Sequence, residues 1–207
     1  LLQSLDKKTA AQVLEELEPE LQKILVQNLG ADRAASVMQK MSIDELVDLL
    51  QMLPNYKSKE IMQSLPSDST QKVKKILEYD EDTGGGLMTT EYVSAFFGNT
   101  VKEVVEKIKN SYQLHSSVYF VYITDADGVF TGVVSVRKLL VSEPNQTMKE
   151  LVSGDNKVTA SPDQKVLEVA TLMTKYNLTS VAVLDENKKM LGVITVDDVM
   201  RHFVPHA

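Results

Sequence analysis

Tyr79-Asp80-Glu81-Asp82-Thr83-Gly84-Gly85-Gly86-Leu87-Met88-Thr89-Thr90-Glu91-Tyr92-Val93 separates two halves of the chain that are built from different repeats. Three consecutive acids lead into three of the nine glycines. Glycine enters φ > 0 at no steric cost, so residues 79–91 are expected to form an acidic, glycine-rich hinge. Residues 1–78 then read as one domain and residues 92–207 as another.

Toward the N-terminus the sequence aligns with itself at a period of 24 residues. Val13, Val37 and Ile61 fall in register, as do Leu17, Met41 and Leu65, then Leu25, Leu49 and Val73, then Leu29, Leu53 and Leu77. Such a period fits a helix-turn-helix unit stacked into a small all-α superhelix. Each unit carries an internal start signal for its second helix: Glu18-Pro19, Ser42-Ile43-Asp44-Glu45 and Pro66-Ser67-Asp68. In the middle unit Asp44 and Asp48 stand four apart, which puts both carboxylates on one helix face. Two readings of that pair remain open. Ser42, Asp44 and Glu45 suit a capped helix start whose acids complement the macrodipole, and two oxygen donors on one rigid face also suit a hard cation such as Mg²⁺. Met38, Met41, Met52 and Met62 fall at helical spacing and read as core filler.

Toward the C-terminus the repeat is mixed. Asp125 is followed seven residues later by Gly132 and then Val133-Val134-Ser135; Asp185 is followed seven residues later by Gly192 and then Val193-Ile194-Thr195. Apolar strands flank each turn, at 118–123 with 133–136 and at 180–184 with 193–196. A helix is expected upstream of each, opening at Thr100-Val101-Lys102-Glu103 and at Ser161-Pro162-Asp163-Gln164. Each copy thus reads helix, strand, turn, strand, helix, with the first copy five residues longer near 110–117. The fold class is α+β: an N-terminal helical-repeat superhelix followed by a tandem α/β module.

Composition limits the chemistry. The 207 residues carry a formal net charge of −7, and Lys and Arg never run longer than two, so there is no electrostatic footprint for nucleic acid. Zero cysteines exclude disulfides, thiolate metal sites and a cysteine nucleophile. No apolar run reaches the roughly 20 residues of a membrane helix, so the piece is expected to be soluble. Beginning without methionine and ending at His206-Ala207, it is expected to be part of a longer chain. Enzymatic readings are poor. His115, His202 and His206 lack zinc-ligand spacing, Gly84-Gly85-Gly86 lacks a following Lys-Ser/Thr, and there is no Gly-x-Ser-x-Gly.

The mixed repeat resembles the CBS motif pair, or Bateman module, whose hallmark is Gly-hydrophobic-x-Ser/Thr-x-x-Asp. The second copy keeps it as Gly192, Thr195 and Asp198. The first has Gly132 and Ser135 but Lys138 in place of the acid, which removes a hydrogen-bond acceptor. Thr195 and Asp198 equally form a capping box that starts the last helix. A helical superhelix, then residues 79–93, then a CBS pair (copies at about 92–142 and 143–202) resembles the cytosolic region of MgtE-type magnesium transporters over essentially the whole chain.

That resemblance implies a magnesium-sensing, non-enzymatic regulatory region on the cytoplasmic side of the cell membrane. It would be a homodimer through its CBS domains, joined to a membrane pore domain of the same full-length chain. Mg²⁺, the regulatory ligand, would bind between acidic domain faces and close the pore when intracellular magnesium is sufficient. Its implied metal ligands are Asp44, Asp48 and Asp198. ATP is the second implied ligand, with Ser135, Arg137, Thr195 and Asp198 as the nucleotide contacts; an adenine-nucleotide-binding CBS module acting on another protein is the alternative reading. Gln12, Leu167, Asn177 and Arg201 depart from the family pattern by replacing acids, which implies fewer or differently arranged ions.

Overall fold

The structure, a computed structural model, describes residues 4–110, 118–152 and 158–204. The chain divides into two compact units, Leu1–Glu78 and Tyr79–Pro205.

Among the described residues the first unit holds six helices: α1 Lys7–Glu15, α2 Pro19–Gln27, α3 Ala31–Met38, α4 Ile43–Met52, α5 Asn55–Ser64 and α6 Ser67–Leu77. Odd helices start at 7, 31 and 55 and even ones at 19, 43 and 67, so the 24-residue period is kept to the residue. α1 packs on α3 and α3 on α5; α2 packs on α4 and α4 on α6. Val37, Leu49, Ile61 and Val73, all in-register positions, are completely buried, whereas Leu77, on the last helix, is 37% exposed.

Polar ties recur with the same period. Arg33 Nη2 donates to the Leu5 carbonyl at 2.6 Å and Lys57 Nζ to the Leu29 carbonyl at 2.7 Å, donors and acceptors both 24 apart. Each tie joins the first turn of an odd helix to the backbone just before the preceding odd helix. The expected capping box at Ser42 is replaced. The Ser42 hydroxyl makes no cap bond, and its N–H donates to Glu15 Oε1 at 2.9 Å, so an acid from the preceding unit serves the helix start.

The second unit begins with α7 Gly84–Leu87 and then contains β1 Ser94–Phe96, α8 Val101–Asn110, β2 Phe120–Thr124, β3 Phe130–Ser135, α9 Val136–Leu140 and α10 Met148–Leu151. The second copy follows as β4 Thr159–Ala160, α11 Val166–Tyr176, β5 Ser180–Leu184, β6 Met190–Thr195 and α12 Val196–Phe203. Each copy forms a three-stranded sheet, β1-β2-β3 or β4-β5-β6, with one parallel and one antiparallel pairing. Phe120 pairs with Ser135 and Ser180 with Thr195, the same register displaced by 60 residues. The expected longer loop of the first copy falls mostly at 111–117, outside the described residues. Tyr122 and Phe130 of the first copy share a buried cluster with Ala182 and Val193 of the second.

Two expectations are corrected here. None of Gly84, Gly85 and Gly86 has positive φ. They form one helical turn, with Gly84 and Gly85 buried, and the Gly84 and Gly85 N–H groups donate to the Gln164 and Pro162 carbonyls at 2.8 and 2.7 Å. Glycine is needed for close approach. A Cβ on Gly84 would stand 2.9 Å from the Ser161 carbonyl oxygen, and one on Gly85 would enter the Tyr79 ring. The segment is therefore seated on the second copy, through further bridges from Thr83 to Lys165 and Thr89 to Val193, in place of the free glycine joint expected. The second correction follows from the first. α11 starts at Val166, after Ser161-Pro162-Asp163-Gln164, because that turn presents its carbonyls to the glycines.

Candidate metal and nucleotide sites

Asp44 and Asp48 lie on α4, away from Ile43, Leu46, Val47, Leu49 and Leu50, which fill the core. Asp44 is half-buried in the first turn and Asp48 is exposed one turn on. Mg²⁺ takes one or two carboxylates, keeps several of its waters and benefits little from a full protein cage. This pair fits that donor set. Among the described residues no group of three or more His, Cys, Asp or Glu side chains is assembled for a metal.

Asp198 is different. It sits in the first turn of α12, buried, and its oxygens are engaged: Oδ2 accepts from the Thr195 N–H at 2.8 Å and the Thr195 hydroxyl at 2.7 Å, and Oδ1 accepts from Arg201 Nη2 at 2.8 Å. The capping-box reading of Thr195 and Asp198 is thus realised, with an i,i+3 ion pair added. As found, this carboxylate fits a fixed cation rather than a hydrated one.

The nucleotide candidates divide in the same way. Ser135 caps α9, accepting from the Lys138 N–H at 3.1 Å, and Arg137 is exposed beside it. Lys138, where the acid is missing, donates from Nζ to the Leu151 carbonyl at 2.6 Å and so ties α9 to the end of α10. Thr195 lines a small cavity with Thr89, Tyr92, Phe120, Tyr122 and Ser180, drawn from both copies. At about 30 Å³ it has room for little more than a water. The Tyr122 hydroxyl lies 2.8 Å from Ser180 Oγ. Burial pushes the Tyr122 phenol up to about 12 and also raises that of Tyr92. Both tyrosines escaped the sequence reading; an aromatic at Tyr122, opposite Ala182 in the repeat, was the available signal.

The acids of residues 79–93 are also placed. Lys165 Nζ lies 3.9 Å from Asp80 Oδ2 and 3.6 Å from Asp82 Oδ2, and His202 Nε2 lies 3.3 Å from Asp82 Oδ1. These contacts set the acids of the segment beside the start of α11 and the last turn of α12.

A helical-repeat unit followed by two strand-helix copies with a glycine turn docked on the second defines a chain of the CBS-pair class. Residues 85–143 and 149–205 match the CBS domain, and residues 1–82 match the MgtE intracellular N domain. The chain belongs to the CBS-domain family and is homologous to the MgtE magnesium transporters. It is 36% identical over 129 residues to magnesium transporter MgtE of Thermus thermophilus, covering 62% of this chain and 28% of that one. With magnesium transporter MgtE of Bacillus subtilis it shares 30% identity over 185 residues, 89% of this chain and 41% of the other. The chain therefore spans less than half the length of these relatives. Among solved structures, the cytosolic domain of the Mg²⁺ channel MgtE in complex with ATP superposes with a TM-score of 0.88 at 34% identity, covering 97% of this chain and 82% of that one. The soluble part of a magnesium transporter gives 0.85 at 27% identity, covering 100% and 86%. No helix among the described residues is long and apolar enough to cross a membrane.

Proposed function

We propose that this chain is the magnesium-sensing regulatory region of a membrane magnesium transporter or channel, working on the cytoplasmic side and closing the pore of the same full-length chain when Mg²⁺ is sufficient. The observation that carries this reading is the joint occurrence of an MgtE-type helical unit and a CBS pair in one chain. Asp44 and Asp48 supply the Mg²⁺ donors of the helical unit. A divalent cation turns repulsion between carboxylates into attraction, which makes ion binding a means of changing how domains dock. The region is not an enzyme; it reports ion concentration to a pore. Large exposed apolar side chains on α11 and α12, including Leu167, Met200 and Phe203, support a homodimer through the CBS domains.

The test is Mg²⁺ titration of the protein at constant ionic strength. Ion binding to the folded state raises the melting temperature by linkage, and Asp44→Asn/Asp48→Asn is expected to abolish the rise. A wild-type protein whose melting temperature ignores millimolar Mg²⁺ overturns the reading.

ATP is a second ligand under the same proposal, supported by the Thr195 hydroxyl at the inter-copy cavity and by the similarity to an ATP complex. Calorimetry with ATP, ADP and AMP tests it, and Tyr122→Ala is expected to tighten binding by opening the cavity. No heat from any of the three with either protein removes nucleotide from the account. The alternative, a nucleotide-responsive module acting on a separate protein, predicts nucleotide binding with no response to Mg²⁺.

A further inference from the structure

Asp198 is the one acid of the CBS unit that the family resemblance implies as an Mg²⁺ ligand, and its carboxylate already faces a cation. Its side chain is 8% exposed, whereas that of Arg201 is 56% exposed and reaches it at 2.8 Å. An ionised carboxylate at that depth is disfavoured unless it is paired and hydrogen-bonded. Oδ2 is compensated by the Thr195 N–H and hydroxyl, and Oδ1 by the guanidinium. Arg201 lies three positions along α12, the spacing at which helix side chains meet, so its charge is delivered without a diffusing ion. Guanidinium is planar, permanently charged and weakly hydrated, which suits a buried oxygen. Mg²⁺ gives up its waters reluctantly and prefers sites that leave it several. It is poorly placed to displace Arg201.

We propose that Arg201 is a tethered counter-cation that holds Asp198 in place of Mg²⁺, so that the ion response of this chain runs through Asp44 and Asp48 and Asp198 becomes a ligand only when Arg201 is withdrawn. The proposal rests on the magnesium-sensing reading and specifies which carboxylates carry it. Arg201 is thereby a specificity-determining residue. It removes one donor from the divalent-ion set and puts a permanent charge in its place.

The experiment is calorimetric titration of the 207-residue protein with MgCl₂ at constant ionic strength, together with the carbonyl-carbon NMR shift of the Asp198 carboxylate. Arg201→Gln is expected to gain a bound Mg²⁺ or to bind it about tenfold more tightly, equivalent to about 1.4 kcal/mol. The gain should vanish in Arg201→Gln/Asp198→Asn. Arg201→Lys keeps the charge and is expected to titrate as the wild type does. Asp198→Asn alone is expected to leave wild-type Mg²⁺ affinity unchanged, and the Asp198 carboxylate signal of the wild type should not move on Mg²⁺ addition. If Asp198→Asn abolishes Mg²⁺ binding, or if Arg201→Gln binds no better than a wild type that does bind, the counter-cation role is overturned while the sensing reading stands. If neither wild type nor Arg201→Gln binds Mg²⁺, both fall.

Discussion

The ring of Tyr79 fills the space in which Gly85 would carry a β-carbon. This contact turns the glycine segment from a joint into a docked plug, since the same turn sends its N–H groups to the Pro162 and Gln164 carbonyls. Gly85→Ala is therefore expected to lower the melting temperature through overpacking, at a cost of about 1–3 kcal/mol. In a double-mutant cycle with Tyr79→Ala the two effects should be strongly non-additive, because removing the ring vacates the site. Additive losses in thermal denaturation would show that the ring is not what excludes the methyl.

Much of this architecture is legible in the sequence. The start signals at Glu18-Pro19, Ser42 and Pro66-Ser67 mark the starts of α2, α4 and α6, and the 24-residue period carries the stacking, because in such an array each helix meets its neighbours through the same positions, as at Val37 and Ile61. The pairing of Ser180 with Thr195 follows from the Asp-to-Gly spacing in the same direct way. What escaped was set by tertiary contact. Glu15 reaches Ser42 across 27 positions, and nothing local in Ser42-Ile43-Asp44-Glu45 announces that a distant acid will take the place of Glu45. The glycines were read by their backbone freedom, whereas the structure uses their missing side chains. Of the candidate site, the common face of Asp44 and Asp48 was readable from spacing. The engagement of Asp198 by Arg201 was equally available as an i,i+3 pair on α12.

Lys57 is 7% exposed; its ammonium donates to the Leu29 carbonyl and also lies 3.5 Å from Glu60 Oε2. Lys57→Met keeps the apolar stem and leaves that acceptor without its donor, which costs about 1–3 kcal/mol. Arg33 makes the equivalent tie one repeat earlier but is only half-buried, so Arg33→Met is expected to cost less. Urea denaturation of the two variants orders them, and an equal or reversed order would show that burial does not set the strength of the tie.

Lys188 holds φ at 60° in the hairpin turn between β5 and β6, and Gly128 holds φ at 78° at the same place in the first copy. A left-handed residue with a β-carbon is strained by roughly 1–2 kcal/mol, of which glycine returns part through the flexibility it adds to the unfolded chain. Lys188→Gly is thus expected to stabilise by about 0.5 kcal/mol. Gly128→Ala, which has open space around it, should destabilise through backbone strain alone. Matched thermal melts decide the point, and a loss of stability in Lys188→Gly would show that the lysine side chain outweighs its backbone.

Two capping boxes bracket the first copy, and both carboxyls are shifted in the same direction. Glu150 Oε2 accepts from the Thr147 N–H at 2.7 Å and from its hydroxyl at 3.0 Å; Glu103 Oε2 accepts from the Thr100 N–H at 2.7 Å and from its hydroxyl at 3.1 Å. The backbone hydrogen bond is the leading cause in each case, and it holds both carboxyls below their ordinary value of 4.5. A carboxyl whose folded value is depressed contributes stability that is fully present above the unfolded value and is lost as pH falls through the folded one. Thr100 and Thr147 also bridge each other, so both helix starts should loosen in one acid transition. Glutamine satisfies a capping box without titrating. Glu103→Gln/Glu150→Gln is therefore expected to be less stable than the wild type near neutrality, where the ionised carboxylates contribute, and to converge on it as pH falls through the carboxyl range, so that it loses less stability on acidification. Parallel acid-denaturation curves for the two proteins would show that other carboxylates govern the transition.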